Sequence, residues 1–161
     1  MSRLPSKSAL KQELVQILEA DLETLERAQQ AALEGATHEE AKPENDKDTR
    51  ALEQSYLARG QAMRIEELRT GLAQVRAMPV RDFESGDPAA LGAVVTLEDD
   101  EGERTLFIAP AGGGSRLADG TIQVTTPRAP LGRALLGKTE GDDFELRIDG
   151  KARVFSVVSL A

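Results

Sequence analysis

The stretch from Lys7 to Leu33 contains no glycine and no proline, and its apolar residues return every three or four positions. They are Leu10, Leu14, Ile17/Leu18, Leu22, Leu25, Ala28 and Ala32. That spacing lays one narrow apolar stripe along an α-helix, and such a stripe needs a partner to be buried. Ser6 or Ser8 suits the N-cap, and Gly35 the C′ position. A second helical pattern opens near Pro43, whose missing N–H costs nothing at a first helical position. It continues through Leu52, Ser55/Tyr56, Ala58, Ala62, Ile65, Leu68, Leu72 and Val75 to about Ala77, with Met78-Pro79 as the stop. Gly60 and Gly71 weaken this helix without ending it. A short connection makes the helices antiparallel, a two-stranded coiled coil whose arms each run about 40–50 Å. Both outer faces read as Glu, Gln, Arg and Lys. Residues 1–79 are therefore predicted to form a coiled-coil hairpin with an acidic tip around 35–48, which holds that tip well away from the body.

Beyond a hinge-like stretch from Arg81 to Pro88, the period drops from 3.6 to 2. Strands are predicted over 91–97, 105–109, 121–125, 144–148 and 152–158, with a hairpin turn at Asp99 to Gly102. Between the third and fourth strands, Ala129 to Lys138 reads as a short helix opened by Pro130 and closed by Gly137. Residues 80–161 thus form a small β-rich domain, and the whole chain is of the α+β class.

Composition narrows the function. The net charge is −8 and the sequence pI about 4.8. Wrapping a nucleic-acid backbone needs a basic stripe that releases counterions, so independent DNA binding is not expected. The absence of cysteine excludes disulfides and thiolate metal sites. No apolar run reaches the length of a signal peptide or a membrane span, so a cytoplasmic protein without membrane contact is expected.

The most specific segment runs from Thr126-Pro127-Arg128-Ala129-Pro130-Leu131-Gly132-Arg133 through Ala134-Leu135-Leu136-Gly137-Lys138 to Gly141-Asp142. It resembles the "SP-LGRALLGK--GD" signature of the GreA/GreB family of bacterial transcription elongation factors, and the likeness extends over essentially the whole chain. The resemblance implies an FKBP-like antiparallel β domain with one short helix, which docks on RNA polymerase. Arg133, Lys138 and Leu131 are the candidate docking residues, with Arg128 and Lys151 completing the basic grouping. It also implies a monomer with no cofactor of its own that inserts its tip into the polymerase secondary channel. There the tip would meet the nascent RNA 3′ end only indirectly and act through the Mg²⁺ of the polymerase active site. The protein itself would be no enzyme.

The tip matches the family only in part. Against the pattern "D-L-S-E-N-A-E-Y" the chain has Ala41-Lys42-Pro43-Glu44-Asn45-Asp46-Lys47-Asp48, so Glu44-Asn45 agree while Ala41 stands where the family has Asp. Glu44, Asp46, Glu40 and Glu39 are the candidate tip acids, with Glu44 as the candidate ligand of the shared Mg²⁺. Acids here also suit a helix N-terminus or a capping box at Thr37-His38-Glu39-Glu40, which are local stabilising roles. One alternative is channel occupancy without cleavage; another is a structural coiled-coil adaptor. His38, the single histidine, reads as an exposed tip residue. Gly112-Gly113-Gly114-Ser115 lacks the Lys-Ser/Thr and the helix of a phosphate loop, and reads as a connection between strands. Four phenylalanines are too few for the aromatic pocket of a prolyl isomerase.

Overall fold

The structure, a computed structural model, describes residues 4–40 and 48–161, without the side chains of 36–40 and 48–49. Helix α1 spans Lys7–Glu40 and helix α2 spans Asp48–Ala77. Ser6 is the N-cap: its Oγ accepts from Ala9 N at 3.1 Å and its carbonyl from Leu10 N at 3.0 Å. Ser8 lies inside the helix. Gly35 does not end α1, which runs on through Ala36 to Glu40. A single helical glycine costs only about 1 kcal/mol against Ala, and the residues after it include good helix formers. The Thr37–Glu40 segment is accordingly the last turn of α1 and does not open a new helix. The expected helix start at Pro43 lies outside the described residues.

After α2 the chain forms six strands and one short helix. These are β1 (Val94–Asp99), β2 (Gly102–Ile108), β3 (Arg116–Leu117), β4 (Ile122–Thr125), α3 (Pro130–Leu135), β5 (Asp143–Ile148) and β6 (Lys151–Leu160). They make one sheet in the order β3-β4-β2-β1-β6-β5. The β1–β2 turn is where the sequence places it, with Asp99 opposite Gly102. The sheet departs from the expected antiparallel form at one pairing. β2 and β4 run parallel, with Thr105 opposite Ile122 and Phe107 opposite Val124. The stretch 109–121 makes the crossover that a parallel neighbour requires, and within it lies β3, too short to show a period.

The sheet is buried on both faces, which explains the unbroken apolar runs at 93–95 and 106–109. On one face Val94, Phe107, Ala109, Ile122 and Val124 pack with Leu10, Leu14, Leu18, Leu72, Val75 and Met78 of the hairpin base. On the other, Val95, Leu97, Leu106, Ile108, Phe155 and Val157 pack with Leu135 of α3 and with Phe83 and Ala89 from the stretch after α2. The hairpin is therefore rooted in the core of the sheet. Two polar ties support this root. The Glu13 carboxylate accepts from Ala118 N at 2.8 and 3.2 Å. Lys11 and Lys7 donate through Nζ to the carbonyls of Met78 (2.7 Å) and Arg81 (2.8 Å) just past the end of α2, where a cation also suits the helix dipole.

Two glycines are dictated by close approach. A Cβ on Gly71 would come 2.7 Å from Ala111 Cβ, where α2 crosses the loop after β2. A Cβ on Gly132 would come 1.9 Å from Thr126 O, because α3 is pressed onto the end of β4.

Candidate functional site

Two surfaces carry the residues singled out by sequence. The first is the hairpin tip. Glu39 and Glu40 end α1, but their side chains lie outside the described residues, and Glu44 and Asp46 lie outside them altogether. The stem that carries them is held by ion pairs across the helices, Arg76–Glu19 at 2.7 Å and Arg69–Glu26 at 3.2 Å. Each is more than 40% exposed on both sides and contributes about 0.2–1 kcal/mol. They align the helices more than they stabilise them.

The second surface is the side of the sheet that α3 covers only in part. Pro130 opens α3 at its first turn, and Gly137 leaves it at φ 84°, donating to Ala89 O at 2.8 Å. The signature thus folds into a turn of helix clamped between the end of β4 and the residues after α2. Beside it lies a recess of about 340 Å³ walled by Arg104, Leu106, Gln123, Leu131, Leu146 and Ile148. Leu131, on α3, is half-buried against the core beneath and forms the α3 wall of the recess. Arg133 is exposed on α3 and donates to Arg128 O at 3.3 Å. Lys138 is half-buried, with its ammonium 6.0 Å from the centre of the Phe144 ring. The loop after it is closed by Asp142, which accepts from Thr139 N (2.8 Å) and Oγ1 (3.1 Å). Those hydrogen bonds, the backbone one foremost, hold the Asp142 carboxyl below its ordinary pKa. Lys151 stands apart at the β5–β6 turn.

The sequence reading did not single out Arg104. Its guanidinium is fixed by Asp99 at 3.1 Å, a carboxylate only 4% exposed, and stands 5.8 Å from the Phe155 ring centre. The recess is therefore an apolar floor with one immobilised cation. That suits an apolar group next to a hydrogen-bond acceptor. Among the described residues no cluster of His, Asp and Glu could hold a metal ion, and no helix is long and apolar enough to cross a membrane.

The Gly112–Ser115 loop is structural. A Cβ on Gly112, at φ 83°, would come 2.7 Å from Leu14 Cδ1, so this loop receives the hairpin base.

Residues 84–161 match the family model "Transcription elongation factor, GreA/GreB, C-term". The chain is 30% identical over 135 residues to transcription elongation factor GreA of Methylococcus capsulatus, covering 83% of this chain and 81% of that protein. It is 31% identical over 134 residues to the GreA of Xanthomonas axonopodis pv. citri, covering 81% and 79%. Among solved structures it is similar to the transcription factor Gfh1, at 27% identity, 99% coverage of both chains and a TM-score of 0.41. With the hairpin, the sheet and the α3 signature in place, the two GreA relatives show that the chain belongs to the GreA/GreB family of transcription elongation factors.

Proposed function

We propose that the protein binds RNA polymerase through the α3 side of the sheet and inserts its hairpin into the secondary channel. The observation that carries this reading is the rooted hairpin: two helices of about 45–50 Å whose base is part of the core of the sheet. A stem built this way transmits the position of the docked sheet to its tip. Arg133 and Lys138, with Leu131 at the recess, are the docking residues, and fixed Arg104 adds a cation to the recess.

At the tip Glu44, Asp46, Glu40 and Glu39 offer carboxylate oxygens, the hard donors that Mg²⁺ prefers. One or two of them suffice, because the ion keeps several waters. Glu44 is the residue that would hold the polymerase's Mg²⁺. The metal supplies the charge stabilisation for phosphodiester hydrolysis, and this chain supplies carboxylates only. The chemistry belongs to the polymerase, in the bacterial cytoplasm, and the nascent RNA 3′ end is reached only through it.

A second reading is favoured by Ala41 in the place of an expected Asp: the hairpin occupies the channel and regulates elongation without promoting cleavage. A halted, backtracked elongation complex with labelled RNA separates the two. The first expects Mg²⁺-dependent shortening of the transcript that is accelerated by this protein and lost with Glu44→Ala. Shortening unchanged at saturating protein, with polymerase capture intact, favours the second. Absence of capture defeats both and leaves the coiled-coil adaptor, for which charge reversal at Glu44 and Asp46 leaves partner binding intact.

A further inference from the structure

Two cations from different segments meet on one aromatic ring where the hairpin joins the sheet. Lys7, in the first turn of α1, places Nζ 4.3 Å from the centre of the Phe83 ring, and the Arg81 guanidinium stands 4.1 Å from it. Phe83 is only 7% exposed and belongs to the core beneath, Lys7 is half-buried, and Arg81 is exposed. We infer that Lys7 is an acylation site, whose amine accepts the acyl group of an acyl phosphate held by Arg81.

Three observations carry this. The nitrogen is fixed in place, since Nζ donates to Arg81 O at 2.8 Å. A neutral amine keeps that bond with one of its two N–H groups, and its lone pair stays free to attack. Next, the surroundings disfavour the ammonium, and burial beside another cation is what turns a lysine into a nucleophile. Burial is the largest influence here; Asp82 opposes it, Arg81 reinforces it, and the pKa falls from 10.5 to about 8. The first turn of α1 holds no acid to add to Asp82, and Lys11, one turn on, is a further cation. Finally, Arg81 makes no ion pair among the described residues, so its planar fork of N–H donors is open to a phosphate.

The step needs no other reactant. The Nζ lone pair attacks the acyl carbonyl carbon, and an N–C bond forms. The C–O bond to the phosphate breaks, and inorganic phosphate leaves with that electron pair beside Arg81. The surplus proton on nitrogen passes to water. The product is a neutral amide that keeps one N–H for Arg81 O. Acylation therefore removes a cation from the junction between hairpin and sheet, and it does so independently of the channel reading above.

Incubation of the full chain with acetyl phosphate, followed by peptide mapping in a mass spectrometer, tests this. At about pH 7.5 an amine with a pKa of about 8 is roughly 24% neutral, and one at 10.5 roughly 0.1%. The weaker basicity offsets part of that advantage, so Lys7 should react about tenfold faster than any of Lys11, Lys42, Lys47, Lys138 and Lys151. The α-amino group, which titrates in the same range, is counted separately. The Lys7 rate should rise with pH and level off above about 8, and its lead should vanish in urea. Arg81→Gln should slow Lys7 acetylation by acetyl phosphate more than by p-nitrophenyl acetate, which carries no phosphate. Even labelling of the lysines, or a lead that survives in urea, overturns the site. Equal slowing with both donors, or none with either, overturns the acyl phosphate as the donor that Arg81 holds.

Discussion

The same two helices are buried at one end and bare at the other. At the base, Leu10, Leu14, Leu18, Leu72 and Val75 are all less than 5% exposed, enclosed by each other and by the sheet. In the distal half, Leu33, Leu52, Tyr56 and Leu57 are all more than half exposed. The distal seam includes Gln54 and Gln61 and leaves a gap of about 370 Å³ beside Ala32, Gly35 and Ala58. Two helices alone cannot enclose a core. The distal half therefore owes its order to helical hydrogen bonding and to the rooted base, and its local stability sits below that of the whole. The base is part of a folded domain, and the far end is an extension of it.

The sharpest break of this contrast is a pair of leucine truncations. Leu14→Ala removes a fully buried side chain that touches the Gly112 loop, and should cost about 2–5 kcal/mol in urea denaturation. Leu57→Ala should stay within about 0.5 kcal/mol. Equal losses would mean that the distal seam is as well packed as the base.

A smaller but more discriminating effect comes from one substitution made at two places on α2. Gly71→Ala drives a methyl to 2.7 Å from Ala111 and should destabilise by about 1–3 kcal/mol. Gly60→Ala enters open space and should stabilise by about 0.5–1 kcal/mol, through helix propensity. Thermal unfolding of dilute protein reads both, and a shared sign would refute the contrast.

The smallest effect is a pH dependence at the root. Burial lowers the pKa of Lys7 from 10.5 to about 8, with nearby Asp82 opposing the shift and Arg81 adding to it. Lys7 also lies 4.3 Å from the centre of the Phe83 ring, which Arg81 approaches at 4.1 Å. Between pH 8 and 10.5 the unfolded chain binds more protons at this site than the folded one, so stability rises with pH across that window. Solvent screening of a half-exposed group limits the gain to no more than about 1 kcal/mol. Lys7→Met should flatten the rise relative to the unmodified protein.

Several elements were legible in sequence because their causes are local. The three-four spacing marked both helices, Pro130 and Gly137 framed α3, and Asp99 to Gly102 marked the first strand turn. The parallel pairing of β4 with β2 was not legible, since a crossover loop sets it and no period within either strand records it. Gly35 misled because a single helical glycine is a cost and not a stop. Leu52 and Tyr56 continue the apolar spacing of Ile65 and Leu72, yet they are exposed, because the helix turns them away from the seam with α1. The recess appears only where side chains of β2, β4 and β5 converge beside α3, so no spacing pointed to Arg104. The acidic tip residues remain a reading of sequence and resemblance.

The way the hairpin is anchored also bears on aim. Leu10 to Leu18 occupies about 12 Å of α1, whereas Leu18 to Glu40 extends about 33 Å beyond it. A stem so proportioned works as a lever: a slip of about 1 Å at the anchored end becomes about 3 Å at Glu40. The hydrogen bonds from Ala118 to Glu13, modest in energy, are thus a gauge of direction. Their removal would be felt less in the melting of the protein than in where its far end points.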